Sequence, residues 1–281
     1  MRVATPTIRL ELQSRPESLT LVRAMLAGLA VPLALEPELL GDVKTAVSEA
    51  CNNVVIHAYP DQPGPLRIDL AVEGEGVEVV VRDQGGGIGH TAPAEGRMSV
   101  GVALIRTLAE RAEFLDAPGG GTEVRMTFAR QDSVGPPAPT APAGSVGPAP
   151  QLEGDAVVTL YPVALLAGLL GRGARAAAAA ARFSVDRFSD LHLVTDAIAA
   201  YAESAAATGE LSFAIRAVNR RLELTVGPFP AGSAAWLESD AATEPALAPL
   251  LLLVDELRSE PVQGGEMLRV VVVDHRPVSA Q

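Results

Sequence analysis

VSEACNNVVIHAY, residues 47–59, lays a chemical pattern over a helical one. Val47, Val54 and Val55 continue the spacing of Leu40 and Val43, which predicts a helix from Pro37 to Ala58 with one buried side. Glu49 and Asn53 are four residues apart and share a face of that helix, with His57 one turn further along. A carboxylate and a carboxamide on one helical face can hold a hydrated Mg²⁺ and polarise a hydroxyl or a water. Cys51, on the same helix, reads as a small core residue.

Working outward, Ile8, Leu10 and Leu12 alternate with polar residues and predict a strand, and Pro16-Glu17-Ser18 opens a helix through Leu21, Val22, Met25 and Leu26. Downstream, Leu66, Ile68, Leu70 and Val72, then Val77, Val79 and Val81, follow period two. Glu73-Gly74-Glu75-Gly76 lies between them as a hairpin turn. A helix from about Ser99 to Phe114 and a strand from Thr122 to Phe128 complete the series. Helices interleaved with hairpin strands predict an α+β fold: a two-layer sandwich with the helices on one face of a mixed sheet.

Residues 131–150 hold six prolines and no large apolar residue other than two valines, a linker composition that cannot build a core. They separate a first domain, residues 1–130, from a second, residues 151–281. The second repeats the order of the first. Setting Leu66 on Leu211 also sets Ile68 on Phe213, Leu70 on Ile215, Val77 on Leu222, Val79 on Leu224 and Val81 on Val226 without a gap. Val47-Ser48-Glu49-Ala50 resembles Val194-Thr195-Asp196-Ala197. Gly120-Gly121 before Val124, Met126 and Phe128 resembles Gly264-Gly265 before Leu268, Val270 and Val272. A tandem duplication is the expectation.

Composition removes several classes. The 281 residues carry 34 acidic and 22 basic side chains, a formal net charge of −12, against non-specific binding of nucleic acid or of anionic membrane. A single cysteine rules out an intramolecular disulfide framework and multi-cysteine metal sites. The N-terminus has no apolar signal region, and the greasiest run, Val157 to Leu170, is 14 residues broken by Pro162 and Gly168. The expected setting is cytoplasmic.

Three further stretches carry chemistry. Arg82-Asp83-Gln84-Gly85-Gly86-Gly87-Ile88 follows a strand, where a carboxylate can accept a hydrogen bond from an exocyclic amine and glycines let a ligand approach the backbone. Arg97-Met98-Ser99-Val100-Gly101 opens a helix, whose N–H groups and dipole favour phosphate oxygens, with Arg97 adding a charged contact. Gly119-Gly120-Gly121-Thr122 leads a hydroxyl into the last strand. In this order and spacing, the four stretches resemble the GHKL (Bergerat-fold) ATPases, and most of all the anti-sigma-factor serine/threonine kinases, over roughly residues 8–130.

The resemblance implies ATP and Mg²⁺ as cofactors and a role for each position. Asn53 would coordinate the Mg²⁺ that bridges the phosphates, and Glu49 would be the general base toward a serine or threonine. Asp83 would bind the adenine amino group above a turn shaped by Gly85 and Gly87. Gly101 would lie under the phosphates, Arg97 would meet the terminal phosphate, Thr122 would support the adenine side, and His57 would pack or orient. Ser99 departs from the paired glycines of the family's lid.

The implied partners are an anti-sigma-factor antagonist with a STAS-like domain and a sigma factor. A catalytically silent, nucleotide-sensing adaptor is the alternative. A histidine kinase is disfavoured, since no dimerisation helix carries a phospho-acceptor histidine. In the second domain, with Asp196 at the base position the asparagine position becomes Ala200, and a register shifted by one gives Ala197 and Tyr201 instead. The glycine turn becomes Pro228-Phe229-Pro230-Ala231-Gly232, so a degenerate copy without nucleotide motifs is expected. Such a copy would suit an intramolecular pseudo-dimer.

Overall fold

The computed structural model describes residues 6–73, 76–87, 100–130, 152–206, 209–233, 237 and 245–275. The chain divides into two compact units, Met1–Pro148 and Ala149–Gln281. The expected linker, residues 131–150, lies outside the described residues.

In the first unit, β1 (Thr7–Gln13) leads into α1 (Pro16–Ala27) and α2 (Pro37–Asn53), and a π-helical turn (Val54–Ala58) extends α2. The hairpin β2 (Pro65–Glu73) and β3 (Gly76–Asp83) follows, then α3 (Val100–Leu108), β4 (Arg111–Asp116) and β5 (Thr122–Ala129). Pro16 starts α1 where its missing N–H has no helical partner to lose. The strands lie in the order β4-β5-β3-β2-β1.

Every neighbouring pair among these five strands is antiparallel, which corrects the expected mixed sheet. The connections explain why. Two successive helices, α1 and α2, return the chain to the end of the sheet it left, so β2 runs against β1. The single crossover through α3 does bring β4 back parallel to β3, but β5 inserts between them and pairs antiparallel with both. The helix expected to reach Phe114 ends at Leu108 instead. Glu110 donates its N–H to the Thr127 carbonyl (2.9 Å), and from there the backbone follows the β5 ladder, with Phe114 opposite Val124.

Period two sorts the sheet into faces. Leu10, Ile68, Leu70, Val79, Val81, Val124 and Met126 are buried in a core shared with Val22, Met25, Leu26, Val47, Ala50 and Ile105 of the helices. α2 packs across β3 and β5, with α1 and α3 packed against it. The alternate positions carry charge: Asp69 accepts from Arg9 (2.8 Å), Arg67 (2.9 Å) and Arg82 (2.6 Å), and Glu123 accepts from Arg82 and Arg125. Burial alone would raise the Glu123 carboxyl, but hydrogen bonds from Arg82 and Arg125, and their charge, hold it below the usual carboxylate range.

A carboxyl depressed in the folded state stabilises the fold above its unfolded pKa, about 4.3, and loses that contribution as pH falls through the folded value. Thermal unfolding followed from pH 7 down to pH 3 is therefore expected to show a smaller acid-dependent loss of melting temperature in Glu123→Gln than in the unaltered chain.

The second unit runs β6 (Ala156–Tyr161), a 3₁₀ turn (Val163–Leu165), α4 (Leu166–Ala180), α5 (Val185–Ala205), β7 (Leu211–Val218), β8 (Arg221–Phe229), α6 (Pro249–Leu252), β9 (Glu256–Val262) and β10 (Gly265–Val273). Its strands lie in the order β6-β7-β8-β10-β9, again antiparallel throughout. Registers correspond as well. Ile68 faces Val81, which faces Val124; Phe213 faces Val226, which faces Leu268. Leu70, Val79 and Met126 make the next such row in the first unit, and Ile215, Leu224 and Val270 make it in the second.

The apolar run breaks at Pro162, between β6 and the 3₁₀ turn, but not at Gly168, which is absorbed within α4 as the helix continues to Ala180. Val163–Ala180 is long and apolar enough by length and composition to cross a membrane, yet half of it is buried inside the unit. Leu166, Leu169, Leu170, Ala174 and Ala178 pass entirely into the core.

Candidate functional site

The buried side of α2 is Val43, Ala46, Val47, Ala50 and Cys51, which leaves Glu49 and Asn53 half-buried on an adjoining face. Burial pushes the Cys51 thiol up to about 12, outweighing the opposing charge of Arg23. That is the chemistry of a core residue, not of a nucleophile.

α3 crosses this face at its first turn. A Cβ built on Gly101 would stand 3.0 Å from Glu49 Oε2 and 3.6 Å from Asn53 Oδ1. Backbone therefore lies directly against the two polar side chains, in a cradle that any other residue would begin to fill. Gly101, distant in the chain, thus meets Glu49 and Asn53 at one spot.

The glycine turn after β3 forms a second spot. Asp83 is 3% exposed, and its Oδ1 accepts the Gly85 N–H (2.8 Å). A Cβ on Gly85 would overlap the carbonyl of Ala58, while the neighbouring Gly86 N–H donates to that same carbonyl (3.2 Å). Gly87 takes φ +73°, and Gly121 closes the far side, where a Cβ would overlap the Asp83 carbonyl. Thr122 begins β5 beside Glu123, which pairs with Arg82, so its hydroxyl-bearing side chain is at the Asp83 end of the strands. Arg97 and Ser99 lie outside the described residues.

His57 lies in the π-turn that extends α2 and is exposed, where packing or orienting was the expectation. Sequence reasoning also missed Tyr59, whose hydroxyl accepts the Gln84 N–H (2.7 Å) and donates to the Pro65 carbonyl (2.7 Å). Burial pushes the Tyr59 phenol up; the Gln84 hydrogen bond opposes this and the charge of Asp83 adds to it, so the group stays protonated and able to donate.

A half-buried carboxylate and carboxamide thus meet the first turn of α3, and a buried carboxylate sits in the glycine turn after β3. The sequence profile of the histidine kinase-like ATPase domain matches residues 12–128. An anti-sigma F factor of Thermoanaerobacter sp. (strain X514) is 32% identical over 133 residues, 44% of this chain and 93% of that protein. A serine-protein kinase RsbW of Halalkalibacterium halodurans is 31% identical over 150 residues, 48% of this chain and 91% of that protein. A solved structure of RsbU and RsbW domains from Mycobacterium tuberculosis is 24% identical with a TM-score of 0.36, covering 46% of this chain and 33% of that one. The chain belongs to the family of GHKL-type ATPase domains that includes the anti-sigma F factors and the RsbW serine-protein kinases.

Proposed function

We propose that the first unit binds Mg-ATP and transfers its terminal phosphoryl group to a serine or threonine of an anti-sigma-factor antagonist, and that the chain is a cytoplasmic regulator of a sigma factor. The observation that carries this reading is the meeting of Gly101 with Glu49 and Asn53. Phosphoryl transfer needs little covalent participation from protein; it needs the nucleophile aimed and the phosphates held. Glu49 Oε2, at the edge of the cradle, is the base for the hydroxyl proton. The first N–H groups of α3 face phosphate oxygens, to which the helix dipole is attractive.

Asn53 Oδ1 would be the protein oxygen that holds Mg²⁺, and the metal would neutralise phosphate charge there. Asp83, with Oδ1 taken by Gly85, offers its other oxygen to the adenine amine. The arrangement fits the nucleotide at both ends, since glycine backbone stands beside these side chains where a larger residue would fill the space. Incubation of the full chain with Mg-ATP and a purified STAS-domain protein tests the reading, and phosphoserine or phosphothreonine on that protein is the expected product. Asn53→Ala is expected to bind ATP with the same affinity in Mg²⁺ as in EDTA, measured by titration calorimetry.

A second reading, a nucleotide-sensing adaptor that moves no phosphate, is favoured by Ser99, which replaces a lid glycine. It predicts binding without a phosphorylated product.

We further infer that the second unit is a degenerate duplicate that binds no ATP. Its support is the shared element order and strand registers, and the occupants of the corresponding positions. Gly265 faces the Phe229 carbonyl as Gly121 faces that of Asp83, with a bulge in the β8–β10 ladder setting Phe229 one residue beyond the ungapped match, Pro228, and neither residue carries a carboxylate. Phe229 meets Tyr201 edge-on, with centroids 4.9 Å apart and each residue 1% exposed. Apolar packing of this kind fills the space a base would need.

A further inference from the structure

We propose that Tyr59 is the positioning residue of the base-binding turn, holding Asp83 in register for a 6-aminopurine; the proposal rests on the ATP reading of the site. The turn from Asp83 to Gly87 has few side chains to anchor it, being Gln84 and three glycines. Its backbone is instead pinned from outside at two N–H groups, one on each side of Gly85. Ala58, the last residue of the π-turn, accepts from Gly86 at 3.2 Å, and the next residue, Tyr59, accepts from Gln84 at 2.7 Å.

Both pins leave the same helical element that carries Glu49 and Asn53, so the base end and the phosphate end of the site share one rigid body. Fixing the backbone on either side of Gly85 fixes the N–H that Asp83 Oδ1 receives, and with it the direction of the carboxylate.

The hydroxyl does what a bare ring cannot. It accepts from Gln84 while donating to Pro65 at the start of β2, tying the turn to the sheet as well as to the helix. The ring has a built seat. Gly64 lies so close that a Cβ there would overlap it, and Gly64 is bound at both backbone groups to Ser14, by Gly64 N–H to Ser14 Oγ (2.9 Å) and Ser14 N–H to the Gly64 carbonyl (2.8 Å). Tyr59 touches no reacting atom in this scheme. It acts through Asp83.

The test is nucleotide titration of the full chain and of two variants, Tyr59→Phe and Gly64→Ala, with two probes in Mg²⁺: ATP, and purine riboside triphosphate, which lacks the 6-amino group. Tyr59→Phe removes only the hydroxyl, and Gly64→Ala pushes the ring from its seat from outside the site. Both are expected to weaken ATP about tenfold, the scale of one lost hydrogen bond. Both should leave the deaminated analogue nearly unchanged, so that the preference between the two nucleotides narrows. Equal losses for both probes, together with a lowered melting temperature without nucleotide, would show a merely structural tyrosine and overturn the proposal. Unchanged ATP affinity in both variants overturns it too, while leaving the ATP reading intact. Failure of the unaltered chain to bind ATP overturns that reading and this one with it.

Discussion

Glu49→Gln is expected to leave ATP bound and to slow phosphoryl transfer by about 10²–10⁴-fold, the usual contribution of a positioned general base. The substitution isolates proton acceptance. Glutamine has the length and shape of glutamate and nearly the same helix propensity, so α2 and its buried side are undisturbed. The contact with Gly101 survives as well, since an amide oxygen or nitrogen occupies the place of Oε2 without adding volume. What disappears is a group able to take the hydroxyl proton as the new O–P bond forms. The measurement is phosphate incorporation into the antagonist at saturating Mg-ATP, with a parallel nucleotide titration to show that the site is filled. A variant that transfers at the unaltered rate removes Glu49 from the chemistry and leaves the adaptor reading as the better account of the cradle.

How much of this site could be read from residues alone depended on the range of the interaction. The face shared by Glu49 and Asn53 follows from spacing within one helix, and the hairpin registers follow from strict alternation between Leu66 and Val81. The β4 strand could not be read. Arg111–Asp116 is short and charged, and it becomes a strand because β5, later in the chain, offers it an edge.

The π-turn was hidden for a different reason: Val54–Ala58 has nothing in its composition to separate a wider winding from an ordinary one. Tyr59 was missed because its partners are backbone atoms of Gln84 and Pro65, which carry no signature in the residue names. The charged sheet face was legible as polar. Which arginine meets Asp69 and which meets Glu123 depended on strand order.

Asp83→Asn is expected to weaken ATP binding roughly ten- to a hundred-fold, equivalent to about 1.5–3 kcal/mol, with the fold retained. The structural duty of the side chain survives the change, because an amide oxygen accepts the Gly85 N–H as Oδ1 does now. That requirement then fixes the orientation of the new amide. Its oxygen is committed to Gly85, so its NH₂ points where the second carboxylate oxygen stood, and a donor there faces the donor of the adenine amine. At a position only 3% exposed, water has little room to intervene and relieve the mismatch. The loss is therefore a hydrogen bond exchanged for a repulsion, not just a weakened contact. Purine riboside triphosphate, lacking the amine, should bind the variant and the unaltered chain about equally. Titration of both nucleotides against both proteins measures this, with thermal unfolding as the control for folding. ATP affinity that stays unchanged in a folded Asp83→Asn protein removes the adenine from this turn, and the glycines would then be shaping a turn for the protein's own sake.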